Sequence, residues 1–201
     1  MTQTPPRWDL TPWFTGADDH ALASALETVH ADVDRLVALY DEHAIGSIAP
    51  RPVTADDVSA LDAVLDATNE LLERAQLVDG YLYLLVSTDS RDDTAAAQSV
   101  ELQTRTAVLS PLSKRLAAWL AALGTDAFVA ASDTAAAHRF FLEQAAAGAE
   151  FQMSAAEEAL AADLSPSGPL AWARLHGDLS SQLTVQIARA PNSQTISRSR
   201  A

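Results

Sequence analysis

Apolar residues recur every three or four positions along most of this chain, which is the spacing of one face of an α-helix. The first such stretch follows Asp18 and Asp19, either of which can cap a helix. It predicts a helix over 20–43, which ends before Pro50 and Pro52 break the chain. The apolar face of this helix consists of Leu22, Leu26, Val29, Val33, Leu36, Val37 and Tyr40.

The second stretch predicts a helix over 55–87. Thr54 precedes it, and Asp57 stands three residues after Thr54, which is a variant of the capping box that starts many helices. Gly80 weakens the helical tendency near the end of this stretch. The stretch is therefore expected to form either one long helix or two joined ones.

The third long stretch predicts a helix over 94–123, which Gly124 is well placed to end. A bend is expected at Pro111, because proline lacks a backbone donor and clashes with the preceding turn. Only 183–187 alternates in the way a strand would. The predicted fold is therefore all-α, with long antiparallel helices followed by shorter ones. The shorter helices fit 126–131, 134–147, 155–162 and 169–181.

The first 17 residues, 1–17, are interrupted by proline and have no helical period, so they are predicted to form an extended arm. Three aromatic residues of this arm, Trp8, Trp13 and Phe14, need a surface to pack on. They either pack on the helices of their own chain or dock on a lobe that this chain lacks. The sequence leaves these two interpretations evenly balanced.

The helical lobe is assigned to 18–185, and a different composition begins at residue 186. The stretch 186–201 contains three arginines, no acidic residue and no apolar period. It is therefore predicted to be a disordered tail. Such an abrupt change is typical of a chain end produced by a frameshift or an early stop.

Composition and charge restrict the classes of function. The net charge of −14 disfavours binding to nucleic acid or to anionic membranes. No apolar run is long enough to cross a bilayer. The chain has no cysteine, which excludes disulfides, thiol nucleophiles and thiolate zinc sites. With no sign of a secretion signal, a cytoplasmic protein is expected.

Several segments together resemble the N-terminal part of the oligoendopeptidase F group of zinc metallopeptidases, which are relatives of thimet oligopeptidase. The resemblance runs over about 7–185, and the order and spacing of its pieces make it specific. It implies a helical lobe that forms one wall of a deep peptide-binding channel, while a C-terminal lobe carries the catalytic zinc and cleaves short peptides in the cytoplasm. The matching segments are Arg7-Trp8-Asp9-Leu10, Gly80-Tyr81-Leu82-Tyr83 with 88–90, 153–158, 164–168, 171–175 and 183–185.

The catalytic motif of that family is absent from this sequence. Two histidines four positions apart on one helix, with a glutamate directly after the first, are needed to bind Zn²⁺ and to activate its water. No two histidines here have that spacing, and none is followed by glutamate. No catalytic residue, metal ligand or cofactor is therefore predicted in this chain, although full-length relatives use zinc. The histidines are His20, His30, His43, His138 and His176.

Other residue pairs have ordinary structural explanations. His176 and Asp178 could form an acid–base pair, but an exposed or capping role is the commoner one for such residues. His43 is predicted at a helix end, where a histidine interacts favourably with the helix dipole. Tyr81 and Tyr83 either face a peptide channel or pack in the core, and core packing is the interpretation that we favour.

Three hypotheses for the function follow. In the first, the chain is the truncated substrate-channel lobe of a zinc oligoendopeptidase and is inactive alone, with a separate catalytic lobe or short peptides as partners. In the second, it is a stand-alone helical module that binds peptides or proteins. In the third, it is a gene remnant with no function. The first hypothesis predicts an exposed apolar patch, and hence self-association, near the arm or near the exit formed by Leu183, Val185 and Ile187.

Overall fold

A computed structural model describes residues 9–89, 91–151 and 153–183, and no strand occurs among them. The all-α prediction is therefore confirmed. Leu183 belongs to no strand, while 184–187, Trp8 and the tail 186–201 lie outside the described residues. The helices are α1 (His20–Glu42), α2 (Ala55–Thr88), α3 (Asp93–Thr106), α4 (Leu109–Leu123), α5 (Thr125–Ala131), α6 (Asp133–Ala137), α7 (Arg139–Gly148), α8 (Ala155–Leu164) and α9 (Pro169–Ser181), with a 3₁₀ turn at Ala149–Phe151 between α7 and α8.

The first three helices run up, down and up. Arg74 of α2 pairs with Asp32 of α1 at 2.5 Å, and Glu70, one turn earlier on α2, lies 3.7 Å from Arg35. Between these two ion pairs the residue number rises on α1 and falls on α2, so the two helices are antiparallel. Arg105 of α3 contacts Asp34 at 3.0 Å and His30 lies 3.9 Å from Glu101, so α3 runs parallel to α1.

The start of α2 is fixed by a capping box and an ion pair. The Thr54 hydroxyl accepts a hydrogen bond from the Asp57 backbone, and the Asp57 carboxylate accepts one from the Thr54 backbone. Arg51 forms a bidentate ion pair with the same carboxylate, with N–O distances of 2.6 and 2.8 Å. These bonds, led by the one from Arg51, hold the pKa of Asp57 well below its usual range although the residue is buried.

The end of α1 folds back in a Schellman motif. The Ile45 amide donates to the Tyr40 carbonyl at 2.9 Å and the Ala44 amide to the Asp41 carbonyl at 3.2 Å. Ala44 stands where glycine is usual and has a φ of 49°. Arg115 of α4 covers this end, because its guanidinium donates to the carbonyls of Ile45 and Tyr40 and to the Asp41 carboxylate.

Gly80 does not interrupt α2, which is a single helix of 34 residues. The stretch 94–123 instead divides into α3 and α4 around Ala107, close to the bend expected at Pro111. Proline at 111 has no amide to donate to the Ala107 carbonyl. That carbonyl accepts from Ser110 at 3.2 Å instead, which tightens the chain locally and separates the two helices.

The helices α4 to α7 complete the core. α4 packs against α7, and Trp119 of α4 meets Phe128 of α5 with ring centroids 5.1 Å apart. α6 is tied to α2 through a 2.5 Å hydrogen bond from Ser132 to Asp62 and a 3.2 Å contact between Asn69 and His138. Most of the predicted apolar face of α1 is buried in this core, where Leu22, Leu26, Val29, Val33, Leu36 and Tyr40 lie.

Candidate functional site

The N-terminal arm, described from Asp9 onward, lies on α2 and α3. The Phe14 ring meets the Tyr81 ring edge-on, with centroids 4.9 Å apart, and the Tyr81 hydroxyl donates a 3.0 Å hydrogen bond to the Phe14 carbonyl. Burial raises the pKa of Tyr81. Gln98 of α3 donates through Nε2 to the Ala17 carbonyl at 3.0 Å. The inner side of the arm is thus packed on its own chain, which is the first of the two interpretations for Phe14.

The five residues considered as peptide-channel or lobe contacts are in different environments. Phe14 and Tyr81 are only 7% and 5% exposed, so a peptide or a second lobe would meet neither ring. Trp13 and Tyr83 are 55% and 68% exposed. Trp8 lies outside the described residues. A contact role through the side chain thus remains a prediction for Trp13 and Tyr83.

A larger set of exposed apolar side chains lies between α7 and α9, and we call it the exposed apolar segment. In the described chain before residue 140, exposed large apolar side chains are scattered over 13–100. From residue 140 onward they follow one another closely along the sequence, and no side chain of α8 or α9 whose burial is described is buried. The exposed apolar segment consists of Phe140, Phe141, Phe151, Met153, Leu160, Leu164, Leu170, Trp172, Leu175, Leu179 and Leu183.

Within this segment, α9 carries an ordered row. Trp172, Leu175 and Leu179 are spaced by three and four residues, so they lie on one face of the helix, which we call the α9 stripe. The sequence predicts a helix over 169–181, but it does not predict that the apolar face of this helix stays uncovered by the rest of the described chain. The spacing of these residues indicates an apolar helix face, but whether another part of the chain covers that face depends on tertiary packing.

The five histidines are distributed over the fold. His30 lies against α3, 3.9 Å from Glu101, and His138 contacts Asn69 through Nε2 and the Thr134 carbonyl through Nδ1. The others, His20, His43 and His176, are exposed. In the described part of the chain, no three histidine, aspartate or glutamate side chains are grouped to hold a metal ion.

Comparison with known proteins gives one family. Residues 108–184, which span α4 to α9, match the model of the Oligopeptidase F family. This part of the chain is thus similar to the N-terminal region of oligopeptidase F, and the resemblance noted above is confirmed over it. No curated protein and no solved structure matches the chain. No described helix is long and apolar enough to span a membrane.

Proposed function

We propose that this chain is the substrate-channel lobe of a zinc oligopeptidase and that it does not hydrolyse peptides by itself. The observation that carries this proposal is the family match over 108–184 in a sequence that lacks the histidine and glutamate motif of the zinc site. The catalytic metal and the glutamate that activates its water would then come from a separate catalytic lobe. We place the chain in the cytoplasm, because it has no cysteine that could form a disulfide in an oxidising compartment.

The exposed apolar segment supports the need for a partner. Contiguous apolar patches of more than a few hundred Å² are uncommon on soluble monomers and usually mark a contact surface. Phe140, Phe151 and Trp172 are each more than 70% exposed, and a buried aromatic side chain removes roughly 150–250 Å² from water. All three lie inside the part of the chain that matches the family. A second lobe is the natural cover for such a surface.

One observation favours the alternative, a stand-alone module that binds peptides or proteins. The helices α1 to α7 enclose a continuous core that includes Phe14 from the arm and Leu142 from α7. A lobe with its own closed core can fold without a partner. In this alternative, Trp13 and Tyr83 are available to a peptide on the outer surface of the core.

A reconstitution assay separates the two functions. The full chain is mixed with the separately produced zinc-bearing part of an oligopeptidase F enzyme, and cleavage of an internally quenched short peptide is followed. Cleavage by the mixture, with none by the chain alone, is the expected result. A Phe151→Glu variant should weaken the effect, whereas Val100→Glu, at an exposed apolar site on α3, should not. Cleavage by the chain alone would refute the proposal, and peptide binding without reconstitution would favour the module.

The proposal also predicts that the purified chain binds no stoichiometric Zn²⁺, because the required ligand spacing is missing. Elemental analysis of the protein after dialysis against zinc checks this. A tightly held ion in each chain, removed only by a chelator, would contradict it.

A further inference from the structure

The α9 stripe is the most regular part of the exposed apolar segment. Trp172, Leu175 and Leu179 lie on one face of a 13-residue helix and are 71%, 45% and 57% exposed. Leu183, just beyond the helix, continues the same face at the next interval of four residues. A surface helix of a folded domain normally turns such a face towards the core. Here it faces away from every part of the described chain that could bury it.

The charge of α9 indicates what can cover it. The chain as a whole carries −14, but α9 has one basic residue, Arg174, and one acidic residue, Asp178, so its formal charges cancel. A strongly charged ligand therefore finds no complementary charge on this helix. The complementary surface is another apolar, electrically neutral helix face. A second copy of α9 has these properties, and its contact adds no excess of like charge at the centre.

The available area is sufficient for a weak dimer. If each exposed apolar residue on this face contributes on the order of 100 Å², the four residues together offer roughly 400 Å² per copy. A pair of such faces buries roughly 800 Å² in total, about half of a standard interface, which is the range of weak and transient contacts. The residues counted are Trp172, Leu175, Leu179 and Leu183.

We propose that α9 of one copy packs against α9 of a second copy across a two-fold axis. In a two-fold contact, if a residue of the first copy contacts a second residue of the partner, the same two residues also meet with the copies exchanged. Trp172 and Leu179 lie on either side of Leu175 at nearly equal separations, so an antiparallel pair centred near Leu175 places each indole against a leucine of the other copy. Leu175 then meets its own equivalent at the axis. This antiparallel arrangement therefore buries the whole α9 stripe of each copy, on both sides of Leu175.

This pairing goes beyond the proposed function, and it does not depend on a catalytic lobe being present. The lobe would instead compete for the same face, so its binding would dissociate the pair. A chain that stays monomeric but reconstitutes peptidase activity would overturn the pairing and leave the proposed function intact. A dimer that does not reconstitute activity would support the pairing and contradict the proposed function.

Sedimentation equilibrium of the full chain tests the pairing directly. The mass should rise from 21.3 kDa towards twice that value as the concentration increases to about 200 µM, a range that detects dissociation constants as weak as roughly 0.1 mM. Added salt should tighten the association, since it screens the repulsion between two chains of −14. Trp172→Glu should weaken it at least tenfold, and Val100→Glu should leave it unchanged. A monomer throughout, or a dimer that tolerates Trp172→Glu, would overturn the proposal.

The absence of cysteine allows a geometric test. His176 is exposed next to Leu175, so a single His176→Cys substitution should place two thiols close to the axis and give a disulfide-linked dimer under mild oxidation. A single Val100→Cys substitution on α3 is the matched control and should remain monomeric on a non-reducing gel. Equal cross-linking of the two variants would show that the disulfides form by random collision of the chains, and it would contradict the two-fold arrangement. Circular dichroism should show that both variants are folded, as expected for exposed positions.

Discussion

Arg115 joins the family-matched part of the chain to α1, and replacing it by alanine should cost about 3 kcal/mol of folding free energy. Its Nε donates to the Ile45 carbonyl at 2.8 Å and its Nη2 to the Tyr40 carbonyl at 3.0 Å. The guanidinium also lies 5.4 Å from the centre of the Tyr40 ring and 2.8 Å from an Asp41 oxygen.

The magnitude follows from what the substitution leaves behind. The Tyr40 carbonyl keeps its bond from the Ile45 amide, whereas the carbonyl of the buried Ile45 loses the guanidinium donor. An acceptor that loses its donor in such a place costs about 1–3 kcal/mol. Loss of the cation–π contact adds about 0.5–1 kcal/mol. The exposed pair with Asp41 adds at most about 1 kcal/mol.

Arg115→Lys separates charge from geometry. Lysine keeps the positive charge but lacks the planar fork that reaches two carbonyls at once, so about half of the loss, roughly 1–2 kcal/mol, should remain. Urea denaturation followed by far-ultraviolet circular dichroism measures both variants, with an unchanged denaturant slope expected. Arg91→Ala is the control, because Arg91 is exposed and pairs with the nearby Asp89, and it should cost less than about 0.5 kcal/mol. A loss below about 1 kcal/mol for Arg115→Ala would refute the reasoning.

Three further predictions concern individual residues. Ala44→Gly should stabilise the fold by about 0.5–1 kcal/mol in urea denaturation, because glycine adopts the positive φ of this position without strain; a loss of stability would contradict the αL assignment. Asp57→Asn should destabilise by about 2 kcal/mol near neutral pH, since it breaks the charged bonds to Arg51. The depressed pKa of Asp57 means that its contribution is present above the unfolded pKa and is lost as the pH falls through the folded pKa, so the difference from the parent should shrink in acid; a constant difference from about pH 7 to pH 2 would count against it. Phe14→Ala should cost about 3 kcal/mol or more and Trp13→Ala less than about 0.5 kcal/mol by the same assay, and equal losses would show that the arm is not packed as described.

Local signals in the sequence were enough to predict most of the helices. Asp19 and the capping box at Thr54 begin helices where their chemistry satisfies free backbone amides, and Gly124 ends α4 with a φ of 83°. These residues act on neighbours within one turn, so reading the chain locally is sufficient. The bend expected at Pro111 rests on the same local chemistry, since one missing amide has its effect four residues earlier, but the chain divides there into two helices instead of bending within one.

Contacts between distant residues could not be derived in this way. Trp13 and Phe14 are adjacent and both aromatic, yet one is exposed and the other is buried against Tyr81. The arm has no regular period, so no pattern tells which ring turns inward. Arg115 likewise lies about 70 positions from its carbonyl partners, and its role exists only once α4 packs beside α1. The α9 stripe was visible as spacing, but its exposure is a property of the whole fold.

The absence of buried side chains among those described in α8 and α9 has a consequence for hydrogen exchange. Amides in α2, which is packed against α1, α3 and α6, should exchange only when the whole domain unfolds. Amides in α8 and α9 should exchange through a local opening that leaves that core intact, at a far smaller free-energy cost. A molecule that binds to α9 can therefore slow exchange in these two helices while the exchange rates of α2 stay the same. Binding to this surface would therefore change the melting temperature of the core very little, but it would clearly increase the protection of the amides in α8 and α9.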